Sequence, residues 1–130
     1  MIERILLYAE NLPGTRTAAT WALNLARVLS ARVFAVCVIT PPPGRNRRER
    51  SQAEEEAWSL LYEIEDDAFE QNVRVSLLLE QGEPLARLCD LCSSYHADIV
   101  VAATDCRIPA ADLIRRCPRP VVFAKTAKED

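Results

Sequence analysis

Residues 32–40 have the sequence RVFAVCVIT, in which every residue except the first and the last is apolar. A run of this length is too short for a typical helix, and its β-branched residues favour a strand. Because the run has no alternation of polar and apolar residues, both of its faces must be covered, as in a parallel sheet packed between helices. This segment therefore predicts a strand of an α/β protein.

Apolar runs and helical periods alternate on both sides of this segment. The predicted strands are residues 2–9, 32–40, 73–80, 98–103 and 121–125, and the predicted helices are residues 15–29, 51–72, 84–95 and 109–116. The second helix is expected to begin at Ser51, because Ser51 and Glu54 form a capping box. Strands and helices that alternate in this way form βαβ units, which predict a mainly parallel sheet with helices on both faces. From the near-continuous apolar runs VFAVCVI and DIVVAA, we also predict that the first and fourth strands are adjacent at its centre.

A ligand of such a sheet binds beyond the carboxyl ends of the strands, where the strand order reverses. The segments that follow the predicted strands are residues 10–14, 40–44, 81–83 and 104–109. We therefore expect any binding residues to lie in these four loops.

Composition limits the classes of function. The 130 residues carry a formal net charge of -3, with a pI near 5.3, which disfavours a nucleic-acid binder. No apolar run approaches the roughly 20 residues that cross a bilayer, so no direct membrane insertion is expected. The amino terminus lacks the layout of a signal peptide, and the five cysteines are irregularly spaced, which together indicate a cytoplasmic protein.

Five segments, in this order, resemble the universal stress protein family. They are ILLYAE at 5–10, AATWALNLA at 18–26, GEP at 82–84, HADIVVAAT at 96–104 and CPRPVVFAK at 117–125. The resemblance implies one domain over residues 1–130, with an open parallel five-stranded sheet in the order 3-2-1-4-5, helices on both faces and an adenine nucleotide alpha hydrolase-like fold. It also implies a homodimer, paired through Val121, Val122 and Phe123 of the last strand, and in one branch of the family an ATP site.

The ATP-binding branch uses the motif G-x2-G-x9-G-[ST], whose glycines let backbone amides wrap the phosphates. The corresponding positions here are Ala103, Cys106, Arg116 and Cys117, and all four depart from the motif. The carboxylate that the family uses on the nucleoside corresponds to Glu10. Because Glu10 and Asp105 would both repel phosphates, no cofactor is expected. If a nucleotide does bind, the candidate residues are Glu10, Ala103 and Thr104.

Cysteine and histidine provide two further candidate sites. Cys89, Cys92 and His96 have a spacing that could hold a metal on one helix, but the same face carries Leu85 and Leu88 into the core. Core packing is the preferred interpretation, so no metal site is expected. Cys106 and Cys117 flank the altered loop and are candidates for redox-sensitive thiols.

Arginines form two groups. Arg45, Arg47, Arg48 and Arg50 precede an acidic helix, which favours a solvated surface paired with its own carboxylates over a site for an anion, a membrane or RNA. A second group near the last strand could border a dimer interface or a small anion pocket. Its members are Arg107, Arg115, Arg116 and Arg119.

No catalytic motif is present in the sequence, and Asp105, which follows the fourth strand, is explained equally well as a residue of a local turn. The preferred hypothesis is a regulatory, stress-related protein that is not an enzyme and acts by dimerisation and contact with a protein partner, without ATP. One alternative is a nucleotide-binding universal stress protein with a rebuilt phosphate loop. Another is the soluble regulatory domain of a membrane transporter.

Overall fold

A computed structural model describes residues 1–40 and 46–125 of the chain. Strands and helices alternate throughout these residues. The strands are β1 (Arg4–Tyr8), β2 (Arg32–Ile39), β3 (Val75–Gln81), β4 (Ile99–Ala103) and β5 (Val121–Ala124), and the helices are α1 (Pro13–Leu29), α2 (Arg47–Glu70), α3 (Pro84–Ser94) and α4 (Ala110–Arg116). The predicted alternation of strands and helices is confirmed.

The strands form one sheet in the order β3-β2-β1-β4-β5, and every neighbouring pair is parallel. At the centre of the sheet, Leu6 of β1 lies between Phe34 of β2 and Val100 of β4. Both the predicted strand order and the adjacency of the first and fourth strands are confirmed.

Alternate residues of each strand pack into two separate cores. On one face of the sheet, Ile5 and Leu7 belong to the core that contains α1 and α2. On the other face, Leu6 and Tyr8 belong to the core that contains α3 and α4. Because both faces are covered, the strands need no polar residues, which explains the continuous apolar run at residues 33–39.

The start of α2 differs from the prediction. The helix begins at Arg47, four positions before Ser51, and its N-cap residue is Asn46 rather than Ser51. The Asn46 side-chain oxygen accepts a hydrogen bond from the backbone N–H of Glu49 at 2.8 Å. Asparagine caps a helix as well as serine does, and the arginines and glutamate that follow it favour helix, so nothing delays the helix to Ser51.

The remaining boundaries lie within two residues of the predictions, as at α1, which begins at Pro13 rather than Thr15. The three consecutive prolines and Arg45 lie outside the described residues, as do residues 126–130. Within the described ranges, no helix is both long enough and apolar enough to span a membrane.

Candidate functional site

The strand order reverses between β1 and β4, and the loops that follow these two strands enclose a crevice at the carboxyl edge of the sheet. Residues 9–12, which follow β1, line this switch-point crevice, and residues 107–109 of the loop that follows β4 also border it. The crevice is the place where a sheet of this topology positions side chains for binding. The ion pair between Glu10 and Arg107 connects the two loops.

Glu10 is a buried carboxylate, with 7% of its surface exposed, and the protein's own donors satisfy it. The backbone N–H of Arg107 donates to Oε1 at 2.9 Å, and the Arg107 Nε donates to Oε2 at 3.2 Å. The Tyr8 hydroxyl also donates to Oε2. The Glu10 charge is therefore neutralised and hydrogen-bonded without any ligand.

The protonation states of the partners fit this arrangement. Burial and then the hydrogen bond to Glu10 raise the pKa of Tyr8 well above its usual range, so its hydroxyl remains a donor. Burial lowers the pKa of Arg107, but the hydrogen bond and charge of Glu10, followed by Tyr8, outweigh it and leave the pKa raised. Arg107 is therefore a permanent cation whose side chain remains 62% exposed.

Asp105 links the same two loops at a second point. Its Oδ2 accepts from the backbone N–H of Gly14, near the start of α1, at 3.0 Å. Its Oδ1 is buried and has no partner among the described residues. A Cβ on Gly14 would lie 2.1 Å from that Oδ1 and 2.8 Å from the Cβ of Ala103, so only glycine fits there. Asp105 therefore lies in a local turn, in which the backbone N–H of Cys106 donates to the backbone oxygen of Ala103 at 3.1 Å, and its side chain also contacts a distant element.

Two cavities open at this edge of the sheet. One, of about 340 Å³, has apolar walls that include Val38, Ile39 and Leu60, with Glu10 and Glu56 among its polar residues. The second, of about 280 Å³, is bordered by Glu83, Ile108 and Asp112. Thr40 and Arg107 line both cavities. The combined lining is rich in carboxylates, which disfavours a polyanion.

Larger cavities lie elsewhere, at positions less suited to chemistry. A groove of about 510 Å³ runs between α1 and α2, and a space of about 590 Å³ lies near Arg4 and Arg32, at the amino edge of the sheet. Neither contains a buried charged group, whereas the 340 Å³ cavity contains Glu10. We therefore take the switch-point crevice as the candidate site.

The four positions assigned to the phosphate motif do not converge on this crevice. Ala103 ends β4 and is buried, and Cys106 contacts the backbone oxygen of Ile108 at 3.4 Å. Arg116 and Cys117 lie at the far end of α4, where the backbone oxygen of Arg116 is 3.7 Å from the Cys89 sulfur. Because α4 lies between them in the chain, Arg116 and Cys117 are separated from Ala103 and Cys106.

Thr104, the third nucleotide candidate, is exposed at the start of the β4–α4 loop, and its backbone N–H donates to Ala124 of β5 at 3.0 Å. The structure therefore brings Glu10, Ala103 and Thr104 to one edge of the sheet. Only Glu10 among them lines the 340 Å³ cavity.

Thiols near the crevice are not activated. Burial and then the charge of Glu10 raise the pKa of Cys37 to about 12. Burial also raises the pKa of Cys106. Both thiols therefore stay protonated at neutral pH, which disfavours a nucleophilic role for either.

The metal-like spacing on α3 does not produce a ligand set. Cys92 is buried in the core, whereas His96 lies beyond the helix, exposed, with a left-handed backbone at φ 54°. Across residues 1–40 and 46–125, no group of three or more histidine, cysteine and carboxylate side chains could hold a metal ion.

Arg47, Arg48 and Arg50 are exposed, as predicted, and the members of the second arginine group lie in two different places. Arg107 is separate from Arg115, Arg116 and Arg119, because it pairs with Glu10 in the crevice while the others lie at or beyond the end of α4. The first-turn arginines of α2 are exposed but do not pair with the carboxylates of their own helix. In the described part of the chain, the ion pairs found are Arg87–Asp90 and Arg107–Glu10.

The proposed dimer residues lie on β5, which is the last strand of the sheet and, within residues 1–40 and 46–125, pairs with β4 alone. Val121 and Phe123 are half-buried against the core formed with α3 and α4. Val122 points to the opposite face and is 39% exposed.

Sequence reasoning missed the contact between Arg107 and Glu10, together with the role of Tyr8. Tyr8 and Glu10 are two residues apart at the end of a strand, a spacing that places both side chains on one face, so their contact could have been predicted. The Arg107 contact joins positions 97 residues apart, and no local pattern predicts it.

Comparison with known proteins gives one family and several similar folds. The model of the universal stress protein family matches residues 1–107. A structure of a protein of that family from Burkholderia pseudomallei is similar, with a TM-score of 0.82 and 22% identity over 94% of this chain and 95% of that one. No curated protein matches the chain.

Two further similar structures contain nucleotides. A universal stress protein in complex with cAMP has a TM-score of 0.79 and 15% identity, and the match covers 97% of this chain and 98% of that one. The universal stress protein from Archaeoglobus fulgidus in complex with dAMP has a TM-score of 0.72 and 15% identity, with 95% and 97% covered. At these identities the structures show a shared fold. Together with the family match over most of its length, the 3-2-1-4-5 sheet shows that this chain belongs to the universal stress protein family.

Proposed function

We propose that this chain is a regulatory stress protein that acts by dimerisation and contact with a protein partner, without ATP and not as an enzyme. The observation that carries the proposal is the ion pair between Glu10 and Arg107, which satisfies the buried carboxylate at the switch-point crevice with the protein's own charges. A phosphate group that drew Arg107 away would leave the buried Glu10 carboxylate with fewer donors, which is costly.

The charges around the crevice argue further against a triphosphate. Glu10, Glu56, Glu83 and Asp112 line the two cavities. Arg107 is the cation they share, and it is already paired. A triphosphate would therefore meet carboxylates where it needs backbone amides and cations.

The test is a calorimetric titration of the purified chain with ATP in the presence of magnesium. We expect no binding, or binding with a dissociation constant on the order of 1 mM or weaker. A micromolar dissociation constant would overturn the proposal. Mass spectrometry of the denatured, freshly purified protein provides an independent check, because a nucleotide carried through purification would appear in the extract.

A second candidate function is the binding of a smaller adenine nucleotide. The cavity of about 340 Å³ beside Glu10 favours it, as do the cAMP and dAMP complexes of the similar structures. Titration with AMP and cAMP tests this candidate, and Glu10→Ala should weaken any affinity found. Unchanged affinity in Glu10→Ala would place the ligand elsewhere.

Dimerisation is proposed to occur through the free edge of β5. An exposed edge strand leaves backbone donors and acceptors unpaired, and pairing with a second copy satisfies them. Pro120 cannot donate to such a ladder, so pairing begins after it. Because Val122 is partly exposed and apolar, it would be covered in the same step.

Light scattering after a sizing column measures the mass of the assembly. We expect twice the 14.6 kDa of one chain at tens of micromolar protein, and a mass of one chain would reject the dimer. Val122→Asp should dissociate it, because the interface would bury an unpaired carboxylate. Phe69→Asp, on the exposed side of α2, is the matched control and should leave the mass unchanged.

A further inference from the structure

The space of about 590 Å³ at the amino edge of the sheet has an electrostatic character opposite to that of the crevice. Its lining includes Arg4, Arg32 and Arg74, and among the described residues that border it Glu3 is the one carboxylate. The two cavities at the carboxyl edge together have four carboxylates and one arginine. We call the space at the amino edge the amino-edge cleft.

The three arginines form a row across three neighbouring strands. Arg4 and Arg32 are the first residues of β1 and β2 and are register partners. Arg74 directly precedes β3, and its backbone oxygen accepts from the N–H of Val33 at 3.0 Å, which places it beside Arg32. Residues at matching positions of neighbouring strands are about 5 Å apart and project from the same face. That face is the one covered by α3, because Phe34, two residues after Arg32, packs in the same core as α3.

The charge of this row is not neutralised by the protein. Like charges at matching positions of neighbouring strands repel each other and lower stability. In the part of the chain that the structure describes, none of the ion pairs includes any of the three arginines. The carboxylate of Asp98, which adjoins Arg4, accepts instead from the backbone N–H groups of Glu3 and Arg4. An anion bound in the cleft would therefore relieve a repulsion that is built into the fold.

Arg32, at the centre of the row, is held in place by two contacts. Its terminal nitrogen donates to the Ser76 hydroxyl at 2.9 Å, and its guanidinium carbon lies 5.6 Å from the centre of the Phe34 ring. The Phe34 ring in turn lies 5.0 Å from the ring of Tyr95, which also borders the cleft. The hydrogen bond uses one of the five N–H donors of the guanidinium, so the side chain is oriented but still able to bind an anion.

The ends of α1 and α3 supply polar side chains to the cleft. Ser30 and His96 have left-handed backbones, at φ 55° and 54°, in positions where glycine is the usual residue. Both border the cleft, with a hydroxyl and an imidazole. Backbone N–H groups satisfy the carbonyls at these helix ends, as Ala97 does for Cys92 at 3.0 Å, so the arginines are not needed as caps.

We propose that the amino-edge cleft binds a small polyanion, with two or more phosphate or carboxylate groups, through Arg4, Arg32 and Arg74. Guanidinium groups bind both kinds of anion by paired hydrogen bonds. The volume of the cleft is that of a pocket for a small molecule, and the net charge of -3 disfavours a nucleic acid. The cleft lies at the opposite edge of the sheet from the switch-point crevice, so this site is independent of the function proposed above.

The test is a calorimetric titration of the full chain with pyrophosphate and with citrate. Magnesium is left out because it would neutralise the pyrophosphate, and the ionic strength is low because salt screens exposed charges. We expect a dissociation constant on the order of 0.1 mM for the better probe, and a raised melting temperature in its presence. Tighter binding of pyrophosphate would identify a phosphorylated ligand, and tighter binding of citrate would identify a polycarboxylate. No saturable binding of either probe would overturn the proposal.

Single variants locate the bound probe. Arg32→Gln should weaken its binding about tenfold, and Arg74→Gln should weaken it in the same direction. Arg27→Gln, in the exposed last turn of α1, removes the same charge outside the lining of the cleft and should leave the affinity within roughly twofold. Equal weakening in all three variants would mean that the overall charge attracts the probe, and unchanged affinity in Arg32→Gln and Arg74→Gln would place it elsewhere. Either result would overturn the proposal.

Discussion

Residues 1–107 and the residues that follow them make different contributions to this protein. The first part contributes β1–β4 and α1–α3 and is the part that matches the family model. The second part contributes α4 and β5 and includes two of the four positions at which the phosphate motif would be completed. Arg107, whose side chain lines the switch-point crevice, is the last matched residue.

The difference shows that the altered segment is part of the fold rather than an addition to it. Leu113 of α4 is fully buried in the core that also contains Leu88 of α3 and Val100 of β4. The residues between the second and third positions of the phosphate motif therefore include a helix that supplies core contacts.

The largest expected effect tests whether α4 is an integral part of the fold. Leu113→Ala should lower the free energy of unfolding by about 2–5 kcal/mol, because it leaves a cavity in a packed core. Urea denaturation measures the change. Ile114→Ala, at the neighbouring exposed position, is the control and should cost less than about 0.5 kcal/mol. Equal small costs for both variants would mean that α4 does not belong to the core.

The contact between the two parts of the chain is tested at Glu10. Glu10→Gln keeps the shape of the side chain but replaces one acceptor oxygen with an amide nitrogen that donates. Tyr8 and Arg107 both donate to this side chain, so the new donor would face an existing one. We expect the free energy of unfolding to fall by about 1.5–3 kcal/mol. Glu56→Gln, an exposed carboxylate of the same cavity, should change it by less than about 0.5 kcal/mol. If the two substitutions lower the free energy of unfolding equally, the ion pair between Glu10 and Arg107 does not stabilise the fold.

The second link between the loops is tested by adding one methyl group. Gly14→Ala should destabilise the protein by about 1–3 kcal/mol, because the new Cβ would overlap Asp105 and crowd Ala103. Asp105→Ala removes the carboxyl atoms that the new Cβ would overlap. The double variant should therefore be more stable than the sum of the two single costs predicts. A double-mutant cycle measured by thermal denaturation gives this coupling. Strictly additive costs would mean that Asp105 and Gly14 do not touch in solution.

The smallest expected effect is a pH dependence within the family-matched part. Asp98 accepts hydrogen bonds from the backbone N–H groups of Glu3 and Arg4, at 2.8 and 2.9 Å, and these bonds lower its pKa below 3.8. The stabilisation is therefore complete above pH 3.8 and is lost as the pH falls through the lower folded-state pKa.

Asp98→Asn should lower stability at pH 7 by less than about 1 kcal/mol, since the group is partly exposed and asparagine can still accept one hydrogen bond. As the pH falls and the wild-type carboxyl becomes protonated, the difference should shrink. Thermal denaturation over a series of pH values from 7 downward measures it, with Asp67→Asn on the exposed face of α2 as the control. A difference that grows toward low pH would contradict the assigned direction of the pKa.

The sequence by itself determined the sheet. The apolar run at residues 33–39 and the run DIVVAA at 98–103 are local patterns. Consecutive residues of a strand point to opposite faces, so an unbroken apolar run predicts a strand that is covered on both faces. The resemblance then supplied the order of the strands. Even the end of α2 near Asn72 was predictable, because asparagine readily adopts the left-handed conformation found there, at φ 58°.

Only the tertiary structure decided the contacts that give the crevice its character. Glu10 meets Arg107, and Asp105 meets Gly14. Each pair joins residues that are distant in sequence, so its formation depends on how two loops or helices are placed in space and leaves no periodic signal. A charged side chain in a loop has many available partners, and the partner it finds is fixed by the packing of the elements on either side.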